Sequence, residues 1–514
     1  MSEFTYEPLA RKVWSWAAEQ PDAVAAIEGE RRRTWGEYGS RTRRLASALI
    51  ALGLPADGRV ALLGRNSIEY GEAFIGTLGA EACAVPLPTM ATAETLRMMI
   101  EDSGARVLLV AQEYRELIAP VLDGLALLPG GLLGLDFDDD VFASYETLIA
   151  DADDPASDRP HDRDAGFNII YSSGTTGVPK GILHTNLMRH KQILGFTVPF
   201  EMGPGSVNAV TTPLYANTSL VTWLPSLYAG AASTYRRKFD TAAFLESVER
   251  DRVSHAMLVP VQYDRILRHE AYASTDKSSM RYKFCTSAPL REELKRRVVE
   301  TFPGKFIEFY GLTEGGVSTI LFGNENPTKL ASVGKCYAGE LRIIDDQGTA
   351  LPAGQTGEIV GRNELMMKGY VNREKETNEM LWTSPDGLTF VRSGDVGRLD
   401  DDGFLYLSDR KKDMIISGGL NIYATDLEIA IDAHPDVQEV AVIGIPSEEW
   451  GETPLALVVA EPGKDVDPGA LCAWANERLG KSQRISAVEL RDELPKSPIG
   501  KILKRELRAP YWKD

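Results

Sequence analysis

Apolar positions in the first third of the chain switch between helical spacing and short continuous runs. Leu45, Ala48, Leu49 and Leu52 recur on one face of a 3.6-residue helix, and Gly53 supplies a cap where that face ends. "VALLG", from Val60, predicts a buried strand; a helix follows through residues 70–78, then a strand in "ACAVPL". Leu96, Met99 and Ile100 mark another amphipathic helix stopped at Gly104, ahead of the strand "RVLLVA". Such alternation predicts parallel sheets covered by helices. After an acidic, proline-bearing surface loop at 151–165, "GFNIIY" predicts one more strand, because Phe167, Ile169, Ile170 and Tyr171 favour a pleated, half-buried surface.

The last hundred residues change character. "TDLE", from Thr425 to Glu428, predicts a capping box opening a helix that runs to the "HPDV" turn. "EVAVIGIP" and "PLALVVA" predict strands, "PGALCAWANERLG" a helix and "SAVEL" a further strand. This is an α+β module large enough for its own core, and the polar stretch "SDRKKD" after the strand "GFLYL" is the expected joint.

Length and charge narrow the function. At 514 residues the chain exceeds one ordinary core. A formal charge of -18 argues against a nucleic-acid partner. The one tight basic run near the start, Arg31-Arg32-Arg33, is expected as a solvated turn. Four scattered cysteines show no zinc spacing, and the six histidines form no HExxH box. The N-terminal stretch lacks a signal-type apolar core. The longest uncharged stretch, 202–235, is broken by prolines and asparagines and is a poor membrane span. A soluble, cytoplasmic protein without integral membrane association is expected, and a homodimer stays open.

Chemistry concentrates in "YSSGTTGVPKG", residues 171–181. Its glycines let backbone amides approach a ligand closely, Ser172, Ser173, Thr175 and Thr176 offer donors, and Lys180 adds positive charge. These suit a polyphosphate, although no Gly-Lys-[Ser/Thr] closes the loop as in a Walker A motif.

The string resembles the signature loop of the adenylate-forming superfamily: acyl- and aryl-CoA synthetases, beetle luciferases and peptide-synthetase adenylation domains. Four more strings follow in the family's order: "YGLTE" (310–314), "RSGD" (392–395, where the family usually has threonine before the glycine), "DRKKDMIISGG" (409–419) and "LPKSPIGKILKREL" (494–507). The resemblance implies an α/β fold. A large N-terminal domain of helix-covered parallel sheets with a β-rich subdomain takes residues 1–409, a hinge takes 410–412, and a small mobile α+β domain takes 413–514.

It also implies roles. Ser172, Ser173, Gly174, Thr175, Thr176 and Lys180 cradle phosphates. Tyr310 stacks on adenine, with Glu308 and Gly311 also at the nucleotide, and the weaker match Ser287, Ala288 and Pro289 lines the adenine face. Thr313 bonds a phosphate and Glu314 helps hold Mg2+. Asp395 accepts the ribose hydroxyls, a task suited to a carboxylate. Arg410 contacts the ribose, Lys412 is the hinge, and Gly418 and Gly419 line the thiol channel. Lys501 bridges the attacking carboxylate and the α-phosphate, while its neighbours Lys496 and Lys504 are expected in solvent.

The implied reaction joins a small carboxylic acid to coenzyme A at the expense of ATP, through an acyl-adenylate. Tyr215, Ala216, Asn217, Val261, Gly334 and Tyr337 are the implied acyl-pocket residues. Trp223 and Tyr263 could line it too or belong to the core. Ala216 departs from the family by standing where a histidine often gates the pocket. The 202–235 stretch holds no acid for a substrate ammonium, which argues against an amino-acid substrate. Apolar acids are expected, aromatic or arylalkanoic acids such as hydroxycinnamates slightly ahead of medium- or long-chain fatty acids. A luciferase-like enzyme and a non-catalytic nucleotide-binding regulator rank lower.

Overall fold

Six parallel strands form the middle of the largest sheet: Val24–Glu28, Ala232–Tyr235, Val207–Val210, His255–Leu258, Tyr282–Cys285 and Lys305–Gly311, in that spatial order. Ser318–Phe322 continues it antiparallel at one side, and Arg31–Thr34 closes the other. A second sheet runs Cys83–Pro86, Arg59–Leu63, Val107–Val110 and Leu132–Gly134 in parallel, with Gly166–Ser172 beside Cys83–Pro86. The computed structural model describes residues 6–154, 159–172, 179–410, 413–417, 420–480, 483–497 and 500–512.

The helix Ile68–Gly79 is buried along its whole length. Its glycines permit this: a Cβ on Gly71 would lie 2.9 Å from the Tyr235 hydroxyl, and one on Gly76 would lie 2.6 Å from Leu45. Phe74 meets Trp223 edge-to-face with ring centroids 5.3 Å apart. Trp223 is fully buried and donates to the Tyr235 hydroxyl at 2.8 Å. Tyr263, also fully buried, donates to the Phe284 carbonyl at 2.8 Å. Both rings are core rather than pocket lining.

The basic run is also corrected. Arg31–Thr34 is a strand paired to Val24–Glu28, and its arginines face acids. Arg31 pairs with Glu69, Arg32 with Asp251 at 2.8 Å, and Arg33 with the fully buried Glu72 at 3.2 Å. Arg31 and Arg32 stay exposed while Arg33 is half-buried against Glu72, so the run is an ion-paired edge strand rather than a turn.

Two smaller sheets follow. One holds Glu340–Ile344, Gly357–Arg362, Thr389–Leu399 and Leu405–Arg410. The other is the core of a separate C-terminal domain, with Val437–Ser447 paired to Gly451–Ala460 and Ala487–Leu490 running parallel to the latter. Val440, Val442, Ala456 and Val458 pack on one face, Ala441, Ile443, Leu455 and Leu457 on the other. Covering both faces accounts for the unbroken apolar runs in the sequence.

The expected capping box is absent. The helix begins at Ala424 with Tyr423 as its cap and no side-chain bond. Glu428 instead accepts from the Val442 amide at 2.8 Å and from Lys504 at 2.7 Å. Both contacts draw the Glu428 carboxylate away from the helix start. Among the described residues, no helix is long and apolar enough to cross a membrane.

Candidate active site

In open parallel sheets, ligands gather beyond the carboxyl ends of the strands. Tyr215, Ala216 and Asn217 follow Val207–Val210, Val261 follows His255–Leu258, Ser287 follows Tyr282–Cys285, and Tyr310 ends Lys305–Gly311. The topology therefore brings these residues to one rim.

The loop "SGTTGV" joins two antiparallel strands, Gly166–Ser172 and Lys180–Thr185, with Ser172 directly opposite Lys180. Ser173, Gly174, Thr175 and Thr176 lie outside the described residues. Below the loop, the Tyr171 hydroxyl donates to the Met99 carbonyl at 3.0 Å and to Asp102 at 2.9 Å, anchoring the first strand. The Lys180 ammonium sits 5.0 Å from the centre of the Tyr370 ring.

At the end of the Lys305–Gly311 strand, the Tyr310 hydroxyl donates to Asp395 Oδ2 at 2.7 Å, and Arg410 Nε lies 3.2 Å from Asp395 Oδ1. Burial, with the Asp395 charge beside it, pushes the Tyr310 hydroxyl well up, so it stays a donor. These three residues come from separate strands, and the structure brings them together.

The turn after Gly311 requires its glycines. Gly315 has φ +74°, and a Cβ there would lie 1.8 Å from the Leu365 carbonyl oxygen. That turn presents Glu314, whose Oε1 accepts from the Tyr370 hydroxyl at 2.8 Å. The Thr313 carbonyl accepts from His184 Nε2 at 2.7 Å. Ser287 takes a left-handed φ of +80° and its hydroxyl bonds Thr218; Ala288 is half-buried and Pro289 exposed.

Three expected site residues sit differently. Glu308 lies beneath the rim, 3% exposed, and is paired with Lys295 at 2.5 Å. Lys295 also donates to the Ser332 carbonyl at 2.9 Å, so the pair supports the strand that carries Tyr310 rather than facing a ligand. Gly334 is buried with φ +89°, where a Cβ would meet the Ile320 backbone at 2.1 Å. It allows close strand approach instead of lining a pocket. Tyr337 is 50% exposed and stands at the surface beside Phe322.

The small domain reaches the same rim through a hairpin. Ser497 N donates to the Lys501 carbonyl at 2.8 Å, Gly500 N to the Ser497 carbonyl at 2.8 Å, and Lys496 bridges to Ile502. Gly500, at φ +76°, comes against Val261. Lys501 is thereby carried to the Val261 side of the rim. Lys496 and Lys504 are not in open solvent: Lys496 pairs with Glu439, and Lys504 is half-buried against Glu428 with Asp409 nearby. Lys412, Gly418 and Gly419 lie outside the described residues.

Sequence reasoning missed Tyr370, Lys295, His184 and Arg189. Each binds a motif residue or its support from a distant place in the chain, and no local spacing announces it.

The profile of the AMP-binding enzymes matches residues 13–371, and that of the AMP-binding enzyme C-terminal domain matches 426–501. The chain is similar to a feruloyl-CoA synthase from an Amycolatopsis species, 34% identical over 503 residues, 96% of this chain and 97% of that protein. It is 31% identical over 491 residues to a long-chain-fatty-acid–CoA ligase of Mycobacterium tuberculosis, covering 93% of each. Among solved structures, ATP-bound MatB from Rhodopseudomonas palustris is similar with TM-score 0.87 and 27% identity, covering 98% of both chains.

Proposed function

The chain belongs to the AMP-binding enzymes, and from that premise we propose that it is an AMP-forming carboxylic acid–CoA ligase acting on an aromatic or arylalkanoic acid. Enzymes of this family use ATP and coenzyme A. The observation that carries the reading is the Lys501 hairpin set against Val261, at the rim that Tyr310 and Asp395 share.

In the first step a carboxylate oxygen of the acid bonds to the α-phosphorus of ATP, the bond from that phosphorus to pyrophosphate breaks, and acyl-AMP forms. Lys501 supplies an ammonium to the oxygens gaining charge, and Asp395 takes the ribose hydroxyls between Tyr310 and Arg410. In the second step the coenzyme A thiolate sulfur bonds to the acyl carbon and AMP leaves, giving the thioester. We place the joint between the domains at 410–412, where the strand Leu405–Arg410 ends, with Lys412 as the pivot. Rotation there withdraws Lys501 and lets Gly418 and Gly419 line the thiol's path.

Mg2+ would supply charge neutralisation of the triphosphate. No three acidic, histidine or cysteine side chains form a metal cage among the described residues. Glu314 fits the ion nonetheless, since Mg2+ is commonly held by one or two carboxylates plus substrate phosphates. Tyr370 fixes one Glu314 oxygen and so orients the carboxylate.

The aromatic preference draws support from the relatives that act on ferulate and 4-coumarate, the latter a ligase of Oryza sativa at 32% identity. A second reading, a medium- or long-chain fatty acid, is favoured by Ala216, which leaves the mouth without a bulky gate. Pyrophosphate release across benzoic, cinnamic, arylpropionic and fatty acids tests both. The highest kcat/KM is expected for a cinnamic or arylpropionic acid. A fatty-acid optimum would favour the second reading, and no AMP from any acid would end the ligase reading.

A further inference from the structure

Arg189, on the helix Asn186–Thr197, is 0% exposed, and among the described residues none of its hydrogen-bond partners is a carboxylate. Its Nε donates to Asn168 Oδ1 at 2.8 Å. One terminal nitrogen donates to Gln192 Oε1 at 2.6 Å and to Asn217 Oδ1 at 2.9 Å; the other lies 2.8 Å from His184 Nδ1. A buried cation held only by neutral acceptors is costly, and a well-packed apolar side chain would fill the space at less cost. Burial pulls the guanidinium down to about 9, which still leaves it charged at neutral pH. What an apolar residue lacks is a planar fork of five donors able to grip several elements at once.

The four acceptors sit at informative places. Asn168 is on the strand that enters the glycine-rich loop, and His184 is on the strand that leaves it. Asn217 begins the helix Asn217–Tyr228 on the acyl side. His184 is fully buried and desolvation keeps it neutral. Arginine has only donors, so His184 Nδ1 must accept from it, which leaves the proton on Nε2 to bond the Thr313 carbonyl. Arg189, together with Asn168 Nδ2 at 3.2 Å from the same nitrogen, thus holds the tautomer that pins the turn bearing Glu314.

We propose that Arg189 is a positioning residue that couples the acyl-side helix to the nucleotide-binding turn, holding Asn217 directly and Thr313 through His184. The meaning of those two ends rests on the ligase reading, but the coupling is measurable without turnover. A change felt at Asn217 shifts the guanidinium, the guanidinium shifts His184, and the Thr313 carbonyl follows. Acid occupancy and nucleotide affinity then respond to one another, with the reciprocity that linkage demands.

Arg189→Met would take the donor from Asn168 Oδ1, Gln192 Oε1 and Asn217 Oδ1 and the nearer of two donors from His184 Nδ1, and so endanger folding; the test therefore uses the two ends. Full-length Asn217→Ala, His184→Gln and the double variant are titrated with α,β-methylene-ATP, which cannot be cleaved at the α-phosphorus. Among the described residues no hydrogen bond joins Asn217 to His184 directly; Arg189 contacts both. Each single variant is expected to weaken binding about fivefold or more, and the double variant to fall short of the product of the two factors by about fivefold. Unfolding midpoints recorded alongside separate this from general loosening, which leaves the two factors independent. Factors that simply multiply, or single variants that bind like the parent, would overturn the coupling. Since no acid is consumed, this outcome is decided separately from the acid panel.

Discussion

A Cβ placed on Gly500 would lie 3.0 Å from Val261 Cγ1, so the hairpin of the small domain is seated directly on the rim of the large one. No side chain at position 500 could hold both that contact and its φ of +76° without strain. The contact presents Lys501 where the carboxylate and the α-phosphate are proposed to meet.

Gly500→Ala follows from this contact. Left-handed backbone costs an alanine about 1–2 kcal/mol, a factor of roughly 5 to 30 in the seated population. Pyrophosphate release should fall by that factor, while thioester formation from supplied acyl-adenylate changes much less. A loss confined to the second step would contradict the seating.

Asp395→Asn should act on the nucleotide alone. The carboxylate holds the Tyr310 hydroxyl and Arg410 and is proposed to take the ribose hydroxyls; hydrogen bonds to a charged partner contribute about 1.5–3 kcal/mol. The KM for ATP is expected to rise about 10- to 100-fold with little change in the KM for the acid. Equal shifts in both would point to a collapse of the rim instead.

His255 gives a pH dependence with a definite sign. It is fully buried, stacks on Tyr282, and lies with Nε2 2.7 Å from the Phe200 carbonyl; desolvation lowers it from 6.5 to about 4. Its depressed value means the contribution is complete above pH 6.5 and is lost as pH falls towards 4, because the unfolded chain binds a proton that the fold refuses. The loss amounts to about 3 kcal/mol by pH 4. His255→Gln should be less stable at neutral pH yet show a shallower decline between pH 6.5 and 4 in thermal unfolding. An unchanged slope would remove His255 from the acid response.

Much of this architecture was legible because its strands are buried on both faces. "VALLG", "RVLLVA" and "PLALVVA" read as strands since no polar face interrupts them. Gly53 and Gly104 read as helix ends, and both adopt positive φ. The five ordered strings located Tyr310, Asp395 and Lys501. Partners distant in sequence were not legible. Arg32 is exposed, yet its partner Asp251 lies 219 positions away and no local pattern shows it. Glu428 looked like a cap because nothing local shows that Lys504 returns to it. Trp223 and Tyr263 are aromatic residues whose face, core or pocket, composition does not decide. Tyr370 reaches Glu314 across 56 positions, and the Arg189 network has no spacing to recognise.

The most direct test of the whole account separates the two half-reactions in Lys501→Ala. Losing one comparable transition-state donor costs about a hundred- to a thousandfold in rate, so pyrophosphate release from acid and ATP should nearly vanish. The same variant, given ready-made acyl-adenylate and coenzyme A, should form thioester at close to the parent rate. Equal loss of both steps would contradict a lysine that serves the first reaction and then departs.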